Sequence, residues 1–209
     1  MKIEEILRKR HLYANIPNLK YFEAKFFLEK IEDKYNEVNI LSPKRLKSFT
    51  GKEIHEAGVD IAYYSSAFYS AVAGFFDSLA ILHTANRERW YRKIHFRHWL
   101  SQQLKRHPSD QYLIELKDNL NTWLEEFLNS RNLFVHSFHV FAATKEFFHL
   151  EGDARQGTKV KMYEVETTAG SKQIARYFEE IIEKMDTLLG TVNNHLENEY
   201  KYKPLRNCC

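Results

Sequence analysis

Apolar residues recur at three- and four-residue intervals over most of the chain, the spacing that gathers them on one face of an α-helix. Between residues 18 and 38 they are Phe22, Phe26, Phe27, Ile31 and Tyr35, set among charged residues and bracketed by Pro17 and Pro43. This predicts an amphipathic helix. From Ala57 to Glu88 a longer helix is predicted, about 48 Å if continuous. It carries a line of small or short side chains, Ala62, Ser66, Ser70, Ala73 and Asp77 with Gly74 beside them, flanked by Tyr63, Phe68, Tyr69, Phe75 and Phe76. Small side chains in register let a neighbouring helix approach closely, so this stretch is expected to be the central helix of a bundle.

A third helix over 91–106 is closed by His107 and Pro108, because the residue before a proline is turned away from helical geometry. Ser109 or Asp110 can cap a fourth, running to about Ser130 with Leu113, Leu116, Leu120, Trp123, Leu124 and Phe127 on its apolar face. The segment KEFFHLEGDARQGTKVKMYEVE differs. Two stretches with some alternation flank the turn-rich EGDARQGT, which predicts a β-hairpin near 145–167. A last helix is expected from near Ser171 to about Glu199, with Ile174, Tyr177, Phe178, Ile181, Ile182, Met185, Leu188 and Leu189 inward. The expected class is therefore mainly α, a bundle of four to five long helices with a small β-hairpin insertion. One domain is expected over 1–209, with 1–50 as a helical extension and 57–199 as the core.

Composition agrees with helices. Only 7 Gly and 4 Pro interrupt 209 residues, few for many short strands, and 15 Phe with 12 Tyr argue against disorder. Cys208 and Cys209 are adjacent at the C-terminus, so they neither staple the interior nor supply a Cys-based zinc spacing. The opening MKIEEILRKR has acidic residues and no apolar stretch of signal-peptide length. No window reads as a membrane span, so a cytoplasmic protein with no membrane partner is expected.

The net charge of +3 says little until it is mapped. Residues 87–106, RERWYRKIHFRHWLSQQLKR, hold seven Arg or Lys against one Glu, a local +6 that leaves −3 for the rest. Here Arg89, Arg92, Lys93, Arg97, Lys105 and Arg106 are interleaved with Trp90, Tyr91, Phe96 and Trp99. Such mixing suits RNA, since cations bind phosphate and aromatic faces stack on bases. It equally suits an ordinary amphipathic helix with aromatic residues in the core and cations in water.

The stretch SRNLFVHSFHVF, residues 130–141, sets an arginine, an asparagine and two histidines among aromatic and aliphatic residues. If the fourth helix continues through it, Asn132 and His136 share a face with His139 nearby, and Arg131 sits with Val135 and Phe138 on another. If the stretch is extended, His136 and His139 point opposite ways. Arg131, Asn132 and His136 spell R-N-x-x-x-H, which resembles the signature of the HEPN superfamily. The order of elements over roughly 57–199 is similar too: a long helix with small residues, a shorter one, a third leading into the motif, and a closing helix.

The resemblance implies a helical bundle that pairs with a copy of itself and, in many members, a metal-independent endoribonuclease that needs no cofactor. His136 would then act as general acid or base, Arg131 as phosphate clamp and Asn132 as the residue that positions them. His139 and Asp77 would have supporting roles. RNA is the implied substrate, and a toxin or defence setting implies an inhibitor (antitoxin) protein as a further partner. The same superfamily also contains noncatalytic nucleotide-binding and protein-interaction modules, and a buried Arg-Asn-His group can simply cap a helix.

Asp77, on the small-residue line, needs a partner if it is buried: Arg131, His136, a hydroxyl such as that of Tyr69, or water. His95 with His98 and His136 with His139 form two H-x-x-H pairs, but no carboxylate accompanies them as in H-E-x-x-H, and no metal site is expected. No phosphate-cradling glycine loop or nucleophile elbow occurs.

Overall fold

Five helices make up most of the regular structure in the computed structural model, which describes residues 15–39, 51–84, 95–136, 150–151, 159–160, 164–167 and 170–200. Helix α1 is Ile16–Asn39, α2 is Gly51–Thr84 and α3 is Phe96–Arg106. Helix α4 comprises Gln111–Asn119, a π-helical turn Leu120–Leu124, and Glu125–His136. Helix α5 is Ile174–Tyr200. Pro17 does not precede α1 but lies in its first turn, where a missing N–H costs nothing.

Local chemistry explains the boundaries. The backbone N–H of His107 donates to the carbonyl of Gln103 at 2.8 Å and Pro108 follows, so α3 stops. Of the two candidate caps for α4, Asp110 serves: its Oδ1 accepts from the N–H groups of Tyr112 at 3.0 Å and Leu113 at 3.3 Å. In the π turn the N–H of Glu125 donates to the Leu120 carbonyl, five residues back. The Trp123 indole N–H donates to Asn119 Oδ1 at 2.8 Å and the Thr122 hydroxyl to the Asp118 carbonyl at 2.7 Å, bracing the wide turn.

Two short antiparallel pairs lie between α4 and α5. Strand β1 (Leu150–Glu151) pairs with β2 (Lys159–Val160), and β3 (Glu164–Thr167) with β4 (Gly170–Gln173), Thr167 opposite Gly170. The last helix consequently begins at Ile174 and not near Ser171. Backbone groups of 170–173 find partners across the ladder, which outweighs the capping preference of Ser171.

The chain divides into two compact units. The first takes Met1–Ala24, Ser70–Glu125 and Ile182–Cys209. Its core includes Phe75, Phe76, Leu79, Trp99, Leu116, Leu124, Met185 and Leu188, all at most 5% exposed. The Tyr21 hydroxyl donates to Asp186 Oδ1 at 2.9 Å and the Thr191 hydroxyl to Glu115 Oε1 at 2.6 Å, pinning α5 to α1 and to α4. The second unit takes Lys25–Tyr69 and Glu126–Ile181. Phe68 and Phe178 stack there with centroids 4.0 Å apart, and Tyr69 packs on Phe127 at 4.7 Å. Each such pair adds about 1 kcal/mol beyond simple burial.

The small-residue line of α2 is only partly buried. Ser70 is exposed and Ala62, Ser66, Ala73, Gly74 and Asp77 are half-buried, while Phe68, Tyr69, Phe75 and Phe76 fill the core. Large aromatic side chains gain more from leaving water, so they take the inner face. Gly74 still admits a close neighbour: a Cβ there would lie 3.2 Å from Cδ of Lys20 on α1.

One expectation about membranes is corrected. Gly58–His83 is long and apolar enough to cross a bilayer by length and mean hydropathy. Its apolarity has another use, since 61% of that window is buried against the protein itself, as in the core helix of a soluble protein.

Candidate nucleic-acid interface

Helix α4 stays helical through His136, so the backbone follows the first of the two readings of SRNLFVHSFHVF as far as that residue. Asn132 and His136 are then one turn apart on one face and Arg131 lies on another. The side chains of Asn132 and His136, and all of His139, lie outside the described residues. Arg131 is described. It is half-buried, and its Nε is enclosed with no hydrogen-bond partner among the described residues.

The turn before it is well anchored. Ser130 is buried, its hydroxyl donating to the Glu126 carbonyl at 3.0 Å. Tyr177 of α5 hydrogen-bonds to Ser130, and burial, aided by the nearby charges of Glu126 and Glu180, pushes the Tyr177 phenol up to about 12. The guanidinium thus rises from a fixed base with a desolvated donor, and a buried donor without an acceptor is costly until one arrives. An anionic oxygen is the acceptor that suits it best.

Of the basic residues, Arg97, Lys105 and Arg106 lie exposed on α3, while Arg89, Arg92 and Lys93, with Trp90 and Tyr91, lie outside the described residues. Phe96 and Trp99 are each 4% exposed, Phe96 packing on Phe76 at 5.1 Å and Trp99 on His83 at 5.1 Å. These two aromatics belong to the core and have no free face for base stacking.

Arg97 and Lys105 line a cleft of about 330 Å³ between α3 and α4. Leu100, Ser101 and Leu104 complete its α3 wall, and Lys117, Leu120 and Asn121 form the α4 wall. Sequence reasoning missed Ser101, Lys117 and Asn121. The available signal was the four-residue spacing of Arg97, Ser101 and Lys105, which puts them on one helix face.

Asp77 has a role that sequence weighing did not include: its Oδ1 accepts the N–H of Phe96 at 3.2 Å, satisfying a free donor in the first turn of α3. His95 precedes α3 and makes no side-chain cap, while His98 Nε2 lies 2.7 Å from Gln102 Nε2. Among the described residues no three His, Cys, Asp or Glu side chains gather as a metal would require. Cys208 and Cys209 lie outside the described residues.

An aromatic cluster, with Trp99 and Tyr112 buried and His83 and His195 half-buried, sits in the same unit as the cleft. His83 stacks on Trp99, its Nε2 lies 3.0 Å from the Tyr112 hydroxyl, and Tyr112 stacks on His195 at 3.9 Å. Burial first, then the neighbouring His195, lowers His83 to about 3 against a weaker opposing pull from Asp110. It is a neutral, structural imidazole at ordinary pH. Nothing in the sequence distinguishes this histidine from the other nine.

No family model, no curated protein and no solved structure matches the chain.

Proposed function

We propose that this chain is a HEPN-like RNA-processing protein, a metal-independent endoribonuclease that acts as a homodimer in a toxin or defence setting in the cytoplasm. The observation that carries the reading is the enclosed Nε of Arg131, without a hydrogen-bond partner among the described residues, on a helix whose next residue is Asn132 and which is described through His136. A mainly helical structure among the described residues is the background this reading requires. The small hairpin near 145–167 is taken as an insertion in that bundle.

In this mechanism His136 removes the proton of a ribose 2′-OH as that oxygen attacks the adjacent phosphorus. The 5′-oxygen leaves and takes up a proton from a protonated imidazole, in the dimer that of the second motif. Arg131 donates to the non-bridging phosphate oxygens as negative charge grows on them, and Asn132 positions the pair. The products are a 2′,3′-cyclic phosphate and a free 5′-hydroxyl. DNA, lacking the nucleophile, is inert.

The test is incubation of purified protein with single-stranded RNA in the presence of a chelator, beside Arg131→Ala and His136→Ala. Cleavage to cyclic-phosphate ends by the parent protein alone is expected. Equal cleavage in all three samples, or loss of cleavage on chelation, sinks the reading.

A further inference from the structure

We infer that the cleft between α3 and α4 is a subsite for one nucleotide of a single-stranded RNA, separate from the Arg131 motif. Arg97, Lys105 and Lys117 take the phosphates, and Leu100, Leu104 and Leu120 give the base or ribose an apolar floor. The choice of RNA as ligand rests on the proposed function; the choice of site rests on the cleft itself.

Three features make the site. All the charges in its lining are positive, and they come from two helices that face each other across the gap. On α3 the residues 97, 101 and 105 follow one another at single-turn intervals, with Leu100 and Leu104 one position back, so a polar and an apolar stripe run side by side down one wall. On α4 Lys117 and Asn121 repeat that spacing beside Leu120, where the π turn begins. π turns inside α-helices are frequent at functional sites.

The cations are available. Lys105 and Lys117 have no ion-pair partner among the described residues, and both are exposed. Arg97 Nη1 lies 3.4 Å from Glu125 Oε1, with side chains 48% and 53% exposed, so the pair is weak and a phosphate can displace it.

Size and polarity narrow the ligand. About 330 Å³ is at the lower end of small-ligand sites, the scale of a single nucleotide. A duplex keeps its bases stacked inside and would leave the leucine floor idle. An unstacked base uses it, and Ser101 and Asn121 supply hydrogen-bonding groups for its edge or for a 2′-hydroxyl.

The test measures anisotropy of a fluorescein-labelled single-stranded decanucleotide RNA over a salt series, in a His136→Ala background so that the strand stays intact. Lys105→Gln/Lys117→Gln, with its fold checked by circular dichroism, is expected to bind about tenfold more weakly, and the slope of log K against log salt to become shallower by about 1.4. Unchanged affinity and slope overturn the site. Lysine acylation of the His136→Ala protein with both lysines present gives a second readout: RNA should shield Lys105 and Lys117 and leave Lys30 reactive. Equal shielding of all three overturns the site as well. Displacement of the strand by micromolar AMP would make the ligand a free nucleotide and overturn the strand assignment. A protein that never cuts RNA yet shows the binding losses refutes the nuclease reading and keeps the cleft; one that cuts, but binds equally well without the two lysines, does the reverse.

Discussion

The Nε2 of His83 and the hydroxyl of Tyr112 lie 3.0 Å apart, and the imidazole is further enclosed by Trp99 and His195. Its pKa is lowered from 6.5 to about 3, chiefly by burial. The unfolded chain therefore binds a proton at this position before the folded one does. The contribution to stability is fully present above about 6.5 and is lost as pH falls toward about 3, at up to about 1.4 kcal/mol per pH unit. Urea denaturation from neutral pH to mild acid should show this slope, and His83→Gln should flatten it whatever it does to stability at pH 7. An unchanged slope in the variant would mean that other groups carry the acid sensitivity.

Asp77 accepts from Phe96 N–H, so it stabilises the start of α3. Replacing it by alanine should cost about 1 kcal/mol in urea denaturation, the usual value of a lost helix cap. Asp77→Asn keeps an acceptor oxygen and should lose less than half of that, with any RNA cleavage unchanged. Cleavage that collapses in the asparagine variant while the fold persists would give the carboxylate a part in the chemistry.

Glu32 of α1 and Glu179 of α5 meet in the second unit. Burial, then a hydrogen bond and charge from Glu179, then Glu29 and Asp33, raise Glu32 above its ordinary 4.5. For a carboxyl whose folded pKa is raised, the favourable contribution exists below the unfolded value and disappears as pH climbs through the folded one. At neutral pH the two carboxylates repel. Glu32→Gln should raise stability there by up to about 1 kcal/mol, a partly exposed charge effect, with the gain shrinking below about pH 4.5. Paired melting curves at neutral and acid pH decide it; a gain that is the same at both would trace to packing.

The helices were legible because each buries one face, and burial writes its period into the sequence. Ile31, Leu116 and Phe178 are buried where three- and four-residue spacing puts them, whereas Phe26, expected on the same face as Ile31, is exposed. Asp110 was legible as a cap because a short acceptor before an apolar periodic run has one main use. The π turn at Leu120–Leu124 left no mark, since no proline or glycine punctuates it. The last helix was expected to start near Ser171, but that residue belongs to a strand and pairs with Glu166, a choice no local pattern reveals. The basic stretch was ambiguous for a physical reason: Trp99 and Arg97 share one amphipathic pattern, and only the neighbours of α3 reveal which faces inward. Lys117 and Asn121 are ordinary alone and become a site only when α3 lies opposite. The Arg131 motif was read from residue order, and its enclosed Nε is the new physical detail.

The stacking of Phe68 on Phe178 also sets a schedule for synthesis. Helix α2, the most apolar of the described helices, is synthesised before its partner ring on α5, which is made only when elongation reaches residue 178. At ordinary translation speeds that is a delay on the order of ten seconds. For that interval a segment apolar and long enough to cross a bilayer lacks the share of its cover that α5 supplies, while Phe127 of α4, made earlier, can already pack on Phe68 and Tyr69.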